Sequence, residues 1–306
     1  MTFTELYGVQ DEPKMSLDPQ NEARPDVRNL TCFRCHSWDG VRCECADGQT
    51  LLCGDNCEIL RTFPDDCIDL IVTSPPYDNL RTYGGHSWDF EGLANQLWRV
   101  VKPGGVVVWV VADATVNGSE TGTSFRQALR FMEIGFRLHD TMIYQKGNWP
   151  FPESARYNQV FEFCFVFSIG SPVSFNQIKD RKTERAGEKI HGTQRTKTGE
   201  LIDQNHITRK TLEYGARTNV WVYFNGRNTG TKDAIAFGHP AQFPEALARD
   251  HILSWSNEGD IVLDPFNGSG TTTKMARKMG RRGIGLEINP EYCEIAKERL
   301  RQKEMF

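Results

Sequence analysis

Ile261-Val-Leu-Asp264-Pro-Phe266-Asn-Gly268-Ser-Gly270-Thr-Thr-Thr273 decides the fold class. Ile261 to Leu263 are apolar and largely β-branched, which predicts a short buried strand ending at Asp264. Gly268 and Gly270 let the backbone turn tightly and approach a ligand closely, and a helix follows. About twenty residues on, Arg282-Gly-Ile-Gly-Leu-Glu287 predicts a second strand ending in an acid. A carboxylate so placed can accept from both hydroxyls of a ribose. Glu291 to Leu300, with Tyr292, Ile295, Ala296 and Leu300 at helical spacing, predicts the next helix.

Ile68-Asp-Leu-Ile-Val-Thr-Ser74-Pro75-Pro76-Tyr77-Asp-Asn79 is the second informative stretch. Its apolar start predicts a buried strand, and two prolines, which cannot donate to a ladder, must end it. The stiff loop that follows offers a hydroxyl, carbonyls and an aromatic face. That combination suits a flat substrate carrying an amino group, although a plain turn after a core strand has the same pattern. Thr50 to Cys53, Val106 to Val111, Leu138 to Tyr144 and Val160 to Ile169 also read as strands. Cys57 to Leu60, Phe90 to Val101 and Ser124 to Ile134 read as helical, with Lys102-Pro-Gly-Gly105 stopping the second. The alternation predicts an α/β protein with a doubly wound, mostly parallel sheet. Asp55, just past the first strand, suits a ligand amine or a helix N-cap.

At 306 residues, 39% hydrophobic and 25% charged, the chain has the make-up of a soluble globular protein. A net charge of −4 gives no global field for a polyanion. No apolar run is long enough for a membrane span, and the amino terminus has no apolar signal region, so a cytoplasmic protein is expected. Residues 1–28 are polar with three prolines and predict a disordered or loosely docked arm. Seven of the nine cysteines crowd between Cys32 and Cys67. Cys32, Cys35, Cys43 and Cys45 have a spacing that fits a structural Zn²⁺ in a knuckle over residues 29–48; ordinary reduced thiols are the other reading. From Asn176 to Arg217 ten Lys/Arg face six Asp/Glu with little periodicity, which predicts a functional polar loop or small insertion.

Asp264-Pro-Phe-Asn-Gly-Ser-Gly-Thr-Thr272 with the upstream Thr73-Ser-Pro-Pro-Tyr77 resembles the S-adenosylmethionine-dependent DNA amino-methyltransferases that act on cytosine N4 or adenine N6. The catalytic loop precedes a variable region and the cofactor loop comes last, which resembles that family's β-group order. Leu52 to Tyr77, Lys146 to Glu162 and His239 to Leu247 resemble further blocks, so the likeness covers about residues 50–170 and 235–300.

The resemblance implies a Rossmann-like, circularly permuted methyltransferase domain over residues 49–306, with target recognition within 145–235. It implies that Asp55, Thr73, Phe243, Asp264, Pro265, Phe266, Gly268, Ser269, Gly270, Thr271 and Glu287 form the S-adenosylmethionine site. Glu287 would take the ribose, and Phe243-Pro244 would open a helix that closes over the cofactor. Ser74, Pro75, Pro76 and Tyr77 are the implied catalytic loop. Phosphate contacts in double-stranded DNA are expected from Lys146, Lys179, Arg181, Lys182, Arg185, Arg195, Lys197, Arg209 and Lys210. In that family Asp usually opens the tetrapeptide of adenine enzymes and Ser leans to cytosine N4, though not exclusively. A catalytically silent DNA-binding protein, or a methyltransferase for protein glutamine or RNA, is the competing reading. A homodimer and a cognate restriction nuclease remain open.

Overall fold

The computed structural model describes residues 42–44, 48–77, 87–148, 156–189, 192–203, 210–225, 229–231, 233–239 and 244–302. The arm over 1–28 and Cys32, Cys35 and Cys45 of the expected zinc knuckle lie outside these residues; of Cys43 only the backbone is described, as part of a strand. In chain order the elements are β1 (Arg42–Glu44), β2 (Thr50–Cys53), α1 (Asn56–Arg61), β3 (Ile68–Thr73), α2 (Phe90–Val100) and β4 (Val101–Val111). A small hairpin, β5 (Thr115–Val116) and β6 (Ser119–Glu120), leads to α3 (Thr123–Ile134), β7 (Arg137–Lys146) and β8 (Phe161–Ser168). Then come β9 (Arg181–Lys182), β10 (Thr193–Arg195), β11 (Leu201–Asp203), β12 (Tyr214–Gly215) and β13 (Val220–Tyr223). A 3-10 turn (Ala234–Gly238), α4 (Glu245–Trp255), β14 (Ile261–Asp264), α5 (Thr271–Lys278), β15 (Arg282–Glu287) and α6 (Pro290–Arg301) complete the chain.

Among the described residues one nine-stranded sheet has the order β1-β2-β15-β14-β3-β4-β8-β7-β13. β2 through β4 in that order run parallel, β8 is antiparallel to both neighbours, and β13 pairs in parallel with β7. β4 explains why both faces are covered. Val107, Trp109 and Val111 enter a core shared with Leu93 and Leu97 of α2 and Phe131 of α3. Val106, Val108 and Val110 enter a second core shared with Leu247 and Ile252 of α4 and Met275 of α5. Period-two alternation with apolar residues at every position requires helices on both sides. This is the doubly wound sheet the sequence predicts.

Three features depart from the sequence reading. Lys102-Pro-Gly-Gly105 does not separate helix from strand: α2 ends at Val100 and β4 begins at Val101. The pairing with β3 slips there, from Ile68–Val101 to Leu70–Val106, which accommodates a proline that has no donor. The described residues between 176 and 217, expected as a polar loop or small insertion, are paired as a ribbon. Arg181 pairs with Gly215, Lys182 with Tyr214 and Lys189 with Lys210, and β10 and β11 make an antiparallel hairpin farther out. Finally, Val220-Trp-Val-Tyr223 adds an edge strand within the 145–235 stretch expected to hold target recognition; Trp221 packs inward while Val220 and Val222 are exposed.

Trp109 is the largest fully buried side chain, and its indole N–H donates to Gln127 Oε1 of α3 at 2.9 Å. Substitution Gln127→Leu strands that donor in the core. It should cost about 1–3 kcal/mol, read as a lower denaturant midpoint with unchanged slope. An unchanged midpoint would show that the bond carries no net stability.

Candidate functional site

A cavity of about 640 Å³ opens at the carboxyl ends of β2, β15, β14, β3 and β4. Ligands in open α/β sheets bind at this edge, where the strand order reverses. On one side it is lined by Gly54, Asp55, Pro265 to Ser269, Thr271 and Glu287; on the other by Ser74 to Tyr77, Lys146 and Glu162.

The first side is built by β14, its glycine turn and β15. Glu287 Oε2 accepts from the Gly268 amide at 2.8 Å, and Oε1 accepts from the Asn289 amide at 2.8 Å. These bonds fix the carboxylate at the cavity wall and leave it acceptor capacity. Gly268 has φ +48, and a Cβ there would stand 2.9 Å from the His239 ring, another cavity residue. Gly285 answers a different need: a Cβ would come within 2.4 Å of the Asn267 side chain. Asn267 accepts from Thr273 through Oδ1, while its buried Nδ2 has no protein partner among the described residues. Asp55 caps α1, accepting from the Glu58 amide at 3.0 Å, and also lines the cavity.

Thr73, Asp264 and Gly270, expected at the cofactor, lie behind this wall. Thr73 is fully buried and donates to Asp264 Oδ1 at 2.7 Å; that oxygen also accepts from the Phe266 amide at 3.0 Å. Gly270 closes the turn through its amide, bonded to Asn267 O at 2.7 Å. Behind the turn Arg299 is wholly buried. It donates to Ser269 O at 2.7 Å, Asp233 at 2.8 Å and Glu245 at 2.8 Å, clamping the glycine turn to the 3-10 turn and to the start of α4. The helix expected after Phe243-Pro244 is present as α4, with Pro244 at its N-cap, but Phe243 lies outside the described residues. Arg299 gave no signal in the sequence beyond a cation on a helix with apolar spacing.

On the second side, Ser74 Oγ lies 2.7 Å from the Tyr77 hydroxyl, which donates to Glu162 Oε2 at 2.8 Å. Glu162 Oε1 is paired with Lys146 Nζ at 2.8 Å. The antiparallel pairing of β7 with β8 sets Glu162 opposite Tyr144, two residues from Lys146 along the same face of β7. Lys146, expected on a DNA phosphate, is therefore a cavity residue in an ion pair. The Glu162 role was missed. Its signal was a lone acid in the apolar run Phe161-Glu-Phe-Cys-Phe-Val-Phe167. Aromatic rings floor the cavity: Trp88 meets Phe266 edge-on at 4.9 Å, and both reach Trp109.

The other expected phosphate contacts stand apart from the cavity. Lys179, Arg181, Lys182, Arg185, Arg195, Lys197 and Lys210 are exposed at the foot and along the ribbon; Arg209 lies outside the described residues. Arg185 pairs with Glu188 at 2.7 Å, whereas Arg195 donates to Gly199 O at 2.8 Å. No group of three or more metal-ligating side chains occurs among the described residues, and the cysteines of the expected zinc knuckle lie outside that search. Burial pushes the thiols of Cys57 and Cys67 up to about 11 and about 12, and raises Cys164 further; none of them is a thiolate nucleophile.

A family model described as DNA methylase, of N6 and N4 methyltransferases, matches residues 68–298. The orphan methyltransferase M.BamHII of Bacillus amyloliquefaciens is 57% identical over 239 residues, covering 77% of this chain and 90% of that one. The solved cytosine-N4-specific PvuII DNA methyltransferase aligns over 85% of this chain and 88% of its own, with TM-score 0.62 and 23% identity. A putative DNA modification methylase from Thermus thermophilus, solved with S-adenosyl-L-methionine, aligns over 83% of this chain and 95% of its own, with TM-score 0.54 and 28% identity.

Burial pushes the Asp264 carboxyl up to about 6, against the bonds from Thr73, Thr272 and the Phe266 amide that favour its charge. The folded protein thus holds this proton more tightly than the unfolded chain. Its contribution to stability is full below the ordinary aspartate range and is lost as pH rises through about 6. Asp264→Asn, uncharged throughout, escapes that loss. Its stability relative to the unaltered protein should rise by on the order of 2–3 kcal/mol between about pH 4 and about pH 7, measured by urea unfolding. A difference independent of pH would contradict this account.

Proposed function

This chain belongs to the DNA methylase family of amino-methyltransferases, and from that premise we propose that it methylates N4 of a specific cytosine flipped out of duplex DNA. The observation that carries the reading is the shared cavity: the Glu287 side and the Ser74-Pro-Pro-Tyr77 side face one space of about 640 Å³. That volume lies within the range of small-molecule sites.

The first side fits S-adenosylmethionine. Glu287 offers a carboxylate for ribose hydroxyls, Asn267 Nδ2 is a buried donor awaiting an acceptor, and the glycine turn lets the backbone come close. When bound, this cofactor supplies an electrophilic methyl group on a positively charged sulfur. Residues Asp55, Phe266 to Ser269 and Glu287 would hold it, while Thr73, Asp264 and Arg299 keep their backbone in place.

The protein's task is then to prepare an amine. The lone pair of a cytosine N4 is delocalised into the ring. Hydrogen bonds from its N–H groups to Ser74 Oγ and the Pro75 carbonyl favour the pyramidal form and free that pair. Tyr77 offers an aromatic face to the flipped base, and holding the amine in line supplies much of the rate. Ser74 at the head of the tetrapeptide supports cytosine over adenine. The exposed ribbon supports target recognition within residues 145–235, because the major groove admits a two-stranded β-ribbon.

Ser74→Ala should abolish methyl transfer to DNA while changing cofactor affinity less than about threefold. Nucleoside analysis of the product should show N4-methylcytosine. Only N6-methyladenine overturns the choice of base, and cofactor binding without transfer to any duplex revives the silent DNA-binding protein. In a separate test, Lys182→Ala with Lys197→Ala should weaken binding to all duplexes alike and flatten the salt dependence by about one unit of slope per lost contact. An unchanged slope removes the ribbon from the phosphate interface.

A further inference from the structure

Ser74, Tyr77, Glu162 and Lys146 form one line of contacts along the cavity wall. Tyr77 has a single O–H, and it is committed to Glu162 Oε2 at 2.8 Å. Burial, helped by the charge of Glu162, holds the Tyr77 hydroxyl well above the ordinary tyrosine range, so it keeps that proton. Its oxygen can therefore only accept at Ser74. The Ser74 proton must point at Tyr77, 2.7 Å away, which leaves Ser74 with lone pairs alone toward the cavity. An ionised Glu162, held by Lys146 Nζ at 2.8 Å, thus fixes the sense of every bond in the chain.

We infer that Glu162 is the residue that makes Ser74 an acceptor toward the target amine, and that it takes up the proton the amine must lose. The inference rests on the functional reading above. In the transfer the amine nitrogen forms its new N–C bond with its lone pair, the C–S bond of the methyl donor breaks with its pair left on sulfur, and nitrogen carries one proton too many. That N–H bond breaks as Ser74 Oγ gains the proton. Ser74 passes its own proton to Tyr77, and Tyr77 passes its own to Glu162. Ser74 and Tyr77 end as they began, and Glu162 ends neutral beside a charged Lys146. The carboxyl group then returns its proton to solvent through the cavity it lines, into which its side chain is 11% exposed.

Without a carboxylate at this position both hydroxyls are free to reverse. Ser74 can then turn its O–H on the amine and occupy the lone pair that must attack. Glu162 is on this account a positioning residue that acts through Tyr77 and Ser74. A residue that bound the base directly would change affinity instead, and a purely structural one would change stability and cofactor binding.

The test uses the full chain with duplex DNA and S-adenosylmethionine. Glu162→Gln should lower the single-turnover transfer rate by about a hundredfold or more, with the KM for DNA and the calorimetric cofactor affinity nearly unchanged. Tyr77→Phe keeps the ring and removes only the link; it should give a similar loss. The double variant should be no slower than the slower single variant, because both break one chain. A Glu162→Gln enzyme that keeps the full rate overturns the proposal, as does a loss confined to KM. If Glu162→Gln does not fold, Tyr77→Phe decides alone, and a full rate there is equally fatal. No transfer by the unaltered protein to any DNA overturns the functional reading, and this inference falls with it.

Discussion

The bond from Thr73 to Asp264 joins the two halves of the site. Thr73 ends the strand that carries the Ser-Pro-Pro-Tyr loop, and Asp264 ends the strand that carries the glycine turn; 191 residues separate them in the chain. Both are buried, and neither lines the cavity. The bond therefore works by registering two strand ends against each other. Transfer from a bound donor to a bound amine depends on that register, because small errors in the approach of reacting atoms cost much of the rate. The Thr272 hydroxyl adds a tie from the first turn of α5 to Val72 O at 3.1 Å. Arg299 extends the same logic outward, locking the outer side of the turn to elements that belong to neither strand.

The sequence made one half of this arrangement readable. The glycine turn, Glu287 and the Pro-Pro loop have local signatures, since each needs particular residues at particular backbone positions. Strands such as β3 and β14 were legible because both faces are buried and their runs are largely apolar. Contacts across the sheet were not legible. Lys146 and Glu162 meet because β7 and β8 pair in one register, and no local pattern announces that register. Thr73 and Asp264 read as ligands because they adjoin cavity residues; only the packing shows them one layer back. The ribbon was read as a loop because its strands are two or three residues long and polar on both sides, so no period emerges.

The Ser74 side of the cavity couples charge to direction. A hydroxyl can donate or accept, and an isolated Ser74 would do either. A fixed charge two bonds away removes that freedom without touching the base. The same economy appears at Glu287, where two backbone amides orient a carboxylate before any ligand arrives. In both places the protein bears the organising cost during folding, so less remains to be ordered when the reactants meet.

The ribbon leaves and re-enters the fold at almost one point. The Arg217 amide bonds to Ile178 O at 2.9 Å, and the Arg217 side chain bridges Asp180 to Asp250 of α4 while lying over the Trp221 ring. Asn176 is pinned to Ser254 O at 2.8 Å on the same helix. A segment whose two feet are clipped together hangs on the domain as a detachable cassette. Its feet contact α4 and the edge strand β13, not the strand ends that line the cavity. A chain built this way can exchange a surface segment of about forty residues at one attachment point, apart from the strands that line the cavity.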